Sequence, residues 1–126
     1  MTQHAHAIAR LRALLGADRV LDHALERGLY ARDGSVQLGD CGLVALPETT
    51  EEVRECMRIA ADCGLDVVPR GSGTGLAGAA VPLDGALVIA LSRMNRILSI
   101  DPEIPCAWVQ PGVLNLDITT AVSHLG

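Results

Sequence analysis

The sequence contains one densely glycine-rich stretch, Arg70-Gly71-Ser72-Gly73-Thr74-Gly75-Leu76-Ala77-Gly78. Alternating glycines permit positive φ angles and let a ligand approach the main chain closely. Successive exposed N–H groups in such a segment form a concavity that binds anions. The hydroxyls of Ser72 and Thr74 add donors, and Arg70 adds a fixed positive charge at the rim. The segment therefore predicts a diphosphate site. The alternative is a flexible surface loop, in which the glycines would only cost folding entropy.

Residues 73–78 also satisfy the pattern G-x-G-x-x-G of Rossmann dinucleotide-binding folds. In that fold the loop leads directly into a helix. Here Pro82 and Gly85 follow Gly78 closely and a strand-like run begins at Ala86, so no helix fits between them. The phosphate loops of P-loop NTPases and protein kinases depend on a lysine, and the sequence contains none. A nicotinamide-dependent Rossmann enzyme stays as an alternative, and it predicts helix directly after Gly78.

Apolar periodicity on both sides of the glycine-rich stretch predicts helices and strands. Helices are expected at residues 5–15, 18–26, 49–63 and 114–125, with a loop at 27–42. Strands are expected at residues 42–46, 66–69, 86–91, 96–100 and 106–110. The first two strands and the helix between them form a βαβ unit, which implies parallel pairing and a right-handed crossover.

The helix at 49–63 carries the clearest local signals. Thr49 and Glu52 form a capping box at its start. Its predicted core-facing side chains are Val53, Cys56, Met57, Ala60 and Cys63. The four cysteines form no CxxC pair and are interpreted as small buried hydrophobes in a reducing compartment, with Cys106 in the core on its strand.

Composition and charge exclude several classes of function. The net charge is -5 and no basic run exists, so nucleic acid is not an expected partner. The apolar runs are too short to span a bilayer, and the N-terminus lacks the pattern of a signal peptide. A cytoplasmic location is therefore expected. The four histidines have no nearby partner in sequence and are interpreted as solvated or structural, so neither a catalytic residue nor a metal site is predicted.

The glycine-rich stretch and three others resemble the PCMH-type FAD-binding domain of the vanillyl-alcohol oxidase superfamily. Within it, the sequence is most similar to the glycolate oxidase catalytic subunit and the FAD-linked D-lactate dehydrogenases. The stretches that carry the resemblance are Val67 to Gly78, Tyr30-Ala31-Arg32-Asp33-Gly34-Ser35, Val44 to Val53 and Val109-Gln110-Pro111-Gly112-Val113.

The resemblance implies an α+β fold, a PCMH-type FAD-binding subdomain with a βαβ unit and a mixed sheet, truncated relative to the family. Residues 1–41 would be a helical and loop region, and 42–126 a partial FAD-binding domain. Thr74 occupies the position where some relatives carry a flavin-linking histidine, which implies non-covalent FAD. The residues implied to bind FAD are Pro69, Arg70, Gly71, Ser72, Gly73, Thr74, Gly75, Leu76, Gly78, Pro111 and Gly112.

The same resemblance implies a parent flavoprotein that oxidises 2-hydroxy acids of the glycolate or D-lactate type. The later segment that completes the FAD site and the catalytic histidines of the family do not occur in these 126 residues. The chain alone is therefore expected to bind FAD without turnover, with a missing C-terminal part or other oxidase subunits as possible partners. The alternative is a non-catalytic nucleotide-binding or interaction module left from a truncated flavoprotein.

Overall fold

The computed structural model describes residues 2–126, which fold into helices packed on a small sheet with a separate hairpin after it. The helices are α1 (Gln3–Leu15), α2 (Ala24–Tyr30), α3 (Thr50–Asp62) and α4 (Asn115–Val122), with 3₁₀ turns at Ala17–Arg19 and Ser123–Leu125. The strands are β1 (Val20–Leu21), β2 (Cys41–Ala45), β3 (Val67–Arg70), β4 (Ala86–Ala90), β5 (Ile97–Asp101) and β6 (Cys106–Val109).

The main sheet has the strand order β1-β2-β4-β3. Strand β4 pairs in parallel with both β2 and β3, whereas β1 pairs antiparallel with β2, so the sheet is mixed as predicted. The two strands of the predicted βαβ unit are parallel but do not pair with each other, because β4 is inserted between them. The prediction of direct pairing was therefore wrong. All five residues of β4 are buried, and so continuous an apolar segment suits the centre of a sheet covered on both faces.

Two apolar clusters cover the two faces of this sheet. Alternation along β4 sends Leu87 and Ile89 to one cluster and Val88 and Ala90 to the other. The first cluster also contains the buried faces of α1 and α3, and the second contains Ala31 at the end of α2. A fully buried Leu or Ile side chain contributes about 1.5–3 kcal/mol, so β4 is the strand that anchors the fold.

The region before β2 differs from the sequence-based prediction. No helix spans residues 18–26, because Val20 and Leu21 form an edge strand that pairs with Ala45 and Val44. Helix α2 begins only after His23 and occupies part of the predicted loop at 27–42. The gain from burying Val20 and from the β1–β2 hydrogen bonds overrides the weak local helix preference.

Helix α3 confirms one half of its predicted capping box. Thr49 Oγ1 accepts a hydrogen bond from the backbone N–H of Glu52 at 3.1 Å. The carboxylate of Glu52, however, accepts from the N–H of Glu48 at 2.7 Å instead of returning to Thr49. The predicted core face was wrong at Met57, which is exposed, while Ile59 is buried. Residues 56, 59, 60 and 63 follow the helical repeat onto α1 and the sheet, and Met57 falls outside that stripe.

Strands β5 and β6 form an antiparallel hairpin outside the main sheet, followed by α4. No residue between 97 and 126 is buried. Cys106 is therefore exposed, and its predicted place in the core was wrong, whereas the thiols of Cys41, Cys56 and Cys63 are buried. Within residues 2–126, none of the helices has both the length and the apolar character needed to cross a membrane.

Candidate functional site

The glycine-rich segment begins where β3 ends and runs along one edge of the sheet. The N–H of Leu91, just after β4, donates to the carbonyl of Arg70 at 2.8 Å, so the carboxyl ends of β3 and β4 meet at this edge. A Cβ atom added to Gly71 would come within 4.0 Å of the carbonyl oxygen of Pro111. The structure therefore brings together the two stretches that were predicted from separate parts of the sequence.

Two glycines of the segment adopt left-handed conformations. Gly73 has φ +72° and Gly78 has φ +77°, which glycine adopts far more readily than other residues. A side chain at Gly73 would overlap the guanidinium of Arg70, and one at Gly78 would press on Gln37 Oε1 at 2.7 Å. Gly75, in contrast, has nothing within 4 Å of its added Cβ. The segment therefore bends at Gly73 and Gly78 and stays open at Gly75.

The backbone N–H groups of residues 71–77 have no hydrogen-bond acceptor among residues 2–126. All of these residues except Gly73, which is partly buried, are exposed. The hydroxyl oxygens of Ser72 and Thr74 lie 3.5 Å apart on the same stretch. A row of free donors around a positive-φ glycine is an anion-binding concavity, so this segment is chemically suited to hold a diphosphate.

Arg70 was expected to add a fixed positive charge at the rim of the site, and backbone carbonyls hold its guanidinium in place. Its Nη1 donates to the carbonyls of Arg32 and, at 3.4 Å, of Tyr30. Its Nη2 lies 3.5 Å from the carbonyl of Ser72, and the guanidinium carbon lies 5.3 Å from the centre of the Tyr30 ring. The side chain thus joins the glycine-rich segment to the end of α2.

Residues 33–35 support the same segment from beneath. The N–H of Gly34 donates to the carbonyl of Gly75 at 2.8 Å, and a Cβ at Gly34 would lie 2.8 Å from the carbonyl of Thr74. The Asp33 carboxylate accepts from the N–H of Ser35 at 2.8 Å. Hydrogen bonds from the Ser35 side chain, and next from its backbone, hold the pKa of Asp33 below its usual range. This turn keeps Gly34 within reach of the segment.

The turn at Pro111-Gly112 is fixed by close backbone packing. The N–H of Gly112 donates to the carbonyl of Met94 at 2.8 Å, and any Cβ at Gly112 would overlap the carbonyl of Leu91. Only glycine fits there. Because its N–H is already used, Gly112 can form a wall of the site but does not offer a donor to it.

The family model of the FAD binding domain matches residues 42–126. The chain belongs to this FAD-binding domain family. It is 38% identical over 112 residues to glycolate oxidase subunit GlcD of Bacillus subtilis, covering 88% of this chain and 24% of that protein. It is 39% identical over 78 residues to a D-lactate dehydrogenase of Anaerostipes hadrus, covering 62% of this chain and 16% of that protein. The chain thus spans about a quarter or less of these relatives.

Solved structures confirm the predicted PCMH-type, α+β fold of this FAD-binding domain. The 4-ethylphenol oxidase from Gulosibacter chungangensis superposes with a TM-score of 0.87 at 31% identity, over 98% of this chain and 25% of that chain. A p-cresol methylhydroxylase superposes with a TM-score of 0.86 at 26% identity, again over 98% of this chain and 25% of that chain. The Rossmann alternative was wrong, because the next regular element after Gly78 is strand β4 and not a helix.

FAD is the cofactor of the domain, and the residues present fit its diphosphate. The unpaired N–H groups of residues 71–77 are hydrogen-bond donors, which is the chemistry that phosphate oxygens require. The same residues include no lysine, so the match depends on backbone donors rather than on a cationic side chain. Among the described residues, no three His, Cys, Asp or Glu side chains gather as a metal site would require.

Sequence reasoning missed the support that residues 30–39 give to the FAD-binding domain. These residues were expected to be loop. In the structure, Gly34 packs closely against the backbone of Thr74, and Gly39 packs closely against the backbone of Pro82. The N–H of Gly39 donates to the carbonyl of Ala31 at 2.8 Å, which closes the segment on itself. Two glycines near a Tyr-x-x-Asp motif were the available signal, because glycine in an irregular segment often marks a close backbone approach.

Proposed function

We propose that this chain is the pyrophosphate-binding part of a flavin-dependent oxidoreductase acting on 2-hydroxy acids of the glycolate or D-lactate type. The observation that carries the proposal is the row of unpaired N–H groups at residues 71–77, set beside Pro111. The similarity to glycolate oxidase subunit GlcD and to a D-lactate dehydrogenase supports the substrate class. In this proposal residues 42–126 are the partial FAD-binding domain and 1–41 its helical and loop region.

The proposed cofactor contacts are Pro69, Arg70, Gly71, Ser72, Gly73, Thr74, Gly75, Leu76 and Gly78, together with Pro111 and Gly112. The N–H groups of the glycine-rich segment hold the diphosphate, and the backbone of Pro111 and Gly112 forms the opposite wall. Binding is non-covalent, because Thr74 presents a hydroxyl rather than an imidazole. When bound, FAD supplies a two-electron acceptor, and this chain's residues orient its diphosphate.

Turnover requires residues that lie outside this chain. The four histidines do not gather at the proposed site: His4 lies within 2.8 Å of the carbonyl of Gly85, and His23 caps α2. We propose that the remaining part of a longer polypeptide, or another oxidase subunit, supplies the substrate pocket. We also propose a cytoplasmic location, which the four free thiols support.

A binding experiment tests the diphosphate site directly. The purified chain is titrated with FAD while flavin fluorescence and the melting temperature are followed. A ligand that binds only the folded state raises its stability, by about 2.7 kcal/mol at one hundred times Kd. ADP, which retains a diphosphate, should compete with FAD, whereas riboflavin, which carries no phosphate, should not. Unchanged fluorescence together with an unchanged melting temperature would refute the proposed binding.

A charge variant locates the site within the chain. Gly75→Asp places a carboxylate in open space beside the unpaired N–H groups. The fold should be retained, but affinity for FAD should fall at least about tenfold because the added charge repels the diphosphate. Ser123→Asp adds the same charge at the far end of the chain and should bind FAD as the wild type does. Equal binding by Gly75→Asp and the wild type would place the diphosphate elsewhere.

A further inference from the structure

The guanidinium of Arg70 is enclosed by backbone carbonyls and one aromatic ring. Its two terminal nitrogens contact the carbonyls of Tyr30, Arg32 and Ser72. The Tyr30 ring covers the guanidinium, with 5.3 Å between the ring centre and the guanidinium carbon. A planar cation with several donors in a fixed fork can satisfy two carbonyls and stack on a ring at once.

The glycine-rich segment is shaped around this side chain. A Cβ on Gly73 would overlap the guanidinium, so the positive-φ turn at Gly73 leaves the space that Arg70 fills. Within the segment, Nη2 of Arg70 also contacts the carbonyl of Ser72, two residues further along the chain. Further along, the N–H of Gly34 holds the carbonyl of Gly75 at 2.8 Å. The segment is thus fastened twice to residues 30–34, once by Arg70 and once by Gly34.

We propose that Arg70 is a positioning residue that fixes the glycine-rich segment against residues 30–34, and that it is not a ligand of the FAD phosphates through its charge. The inference rests on the proposed function, because the groups that it positions are the N–H donors of the diphosphate site. A segment with several glycines loses much backbone entropy on ordering. The contacts of Arg70 offset that loss before the cofactor arrives, and preorganised donors bind more tightly.

This role makes a charge-conserving substitution informative. Lysine keeps the positive charge of Arg70 but has neither the planar fork nor the stacking surface. A residue that binds phosphate only through its charge would largely tolerate Arg70→Lys and would not depend on the ring of Tyr30. A positioning residue would be impaired both by Arg70→Lys and by Tyr30→Leu, although each variant conserves the net charge. Arg58→Lys, on the exposed face of α3, is the matched control.

The first measurement needs no cofactor. Backbone amide order parameters of residues 71–78 are measured by NMR in the full chain without FAD, with the amides of β4 as an internal reference for folding. We expect lower order parameters across the segment in Arg70→Lys and in Tyr30→Leu, while those of β4 stay unchanged. Unchanged order parameters of residues 71–78 in both variants would overturn the proposal, whether or not the chain binds FAD.

The second measurement separates this inference from the proposed function. FAD affinity is determined at low and high ionic strength for the wild type, both variants and the control. We expect Arg70→Lys to weaken binding about tenfold and Tyr30→Leu to weaken it several fold, because cation–π and carbonyl contacts are lost. Salt should affect all four proteins equally. If the wild type binds no FAD, the proposed function fails and the order parameters alone decide the inference. If the wild type and Arg70→Lys bind FAD equally, the inference fails and the proposed function stands.

Discussion

The guanidinium of Arg19 and the carboxylate of Glu52 form a bidentate ion pair, in which Nη1 donates to Oε2 at 2.8 Å and Nη2 donates to Oε1 at 2.9 Å. The pair ties the turn after α1 to the first turn of α3. Both side chains are largely buried, at 15% and 20% exposure. Arg19→Gln should therefore lower the free energy of unfolding by about 2 kcal/mol, since it leaves a partly buried carboxylate without its main partner. Urea unfolding measures the loss.

A second ion pair serves as the control. Arg58 lies on the surface of α3, at 66% exposure, and contacts Glu55 at 3.2 Å. Arg58→Gln should change the free energy of unfolding by no more than about 0.5 kcal/mol, as exposed pairs do. Similar losses for Arg19→Gln and Arg58→Gln would contradict a special role of the pair between Arg19 and Glu52. A double-mutant cycle with Glu52→Gln isolates the coupling.

The same pair predicts how stability depends on pH. Hydrogen bonds from Arg19 hold the pKa of Glu52 below its usual range in the folded chain. Stability from this carboxylate is therefore fully present above the unfolded pKa, which is about 4.3, and is lost as pH falls through the lower folded pKa. Unfolding free energies of the wild type and Glu52→Gln should converge as pH falls below about 4. A constant difference between them across that range would refute the assignment.

Two glycines with opposite surroundings predict opposite effects of the same substitution. Gly112→Ala forces a Cβ onto the carbonyl of Leu91 and should cost about 2 kcal/mol or more. Gly28 lies within α2 and has nothing within 4 Å of an added Cβ. Gly28→Ala should raise stability by about 0.5–1 kcal/mol. Thermal unfolding of the two variants checks both signs, and a stable Gly112→Ala would show that the turn at residues 111–112 can shift.

The four thiols should react at very different rates. Burial raises the pKa of Cys41 and of Cys56 to about 11, which suppresses the reactive thiolate, and Cys63 is buried with them. Cys106 is exposed on β6. A thiol reagent at neutral pH should label one cysteine per chain quickly and the other three only in denaturant. Cys106→Ser should abolish the fast phase, and rapid labelling of that variant would show that the core opens readily.

The order of the strands was not predictable from local patterns. The sequence of β4 is a short apolar run, which predicts a buried strand, but it does not indicate which strands β4 pairs with. Tertiary packing determines its insertion between β2 and β3, because a central position in the sheet buries all five of its residues on both faces. The edge strand at Val20 and the exposed Met57 were missed for the same reason: tertiary packing overrides local preference.

The candidate site was predictable where chemistry is local. Four glycines in a short segment predict a backbone that bends and stays accessible. In the structure the backbone bends at Gly73 and is open at Gly75. The contacts of Arg70 were not evident, because the two residues whose carbonyls it binds, Tyr30 and Arg32, lie about forty residues earlier. A charged side chain beside a glycine-rich segment suggests an anion ligand until the carbonyls that surround it are known.

The hairpin and α4 predict that the isolated chain associates. No side chain in residues 97–126 is buried, and three large apolar ones, Ile104, Trp108 and Leu116, are 69–72% exposed. Exposed apolar side chains concentrated in one part of a chain favour association. We expect concentration-dependent association in sedimentation velocity, with a blue shift of the fluorescence of Trp108, the only tryptophan. Leu116→Gln should reduce association, whereas Leu25→Gln, at an equally exposed position on α2, should not. A chain that sediments as a monomer at every concentration and unfolds reversibly would show that this surface is compatible with a stable isolated domain.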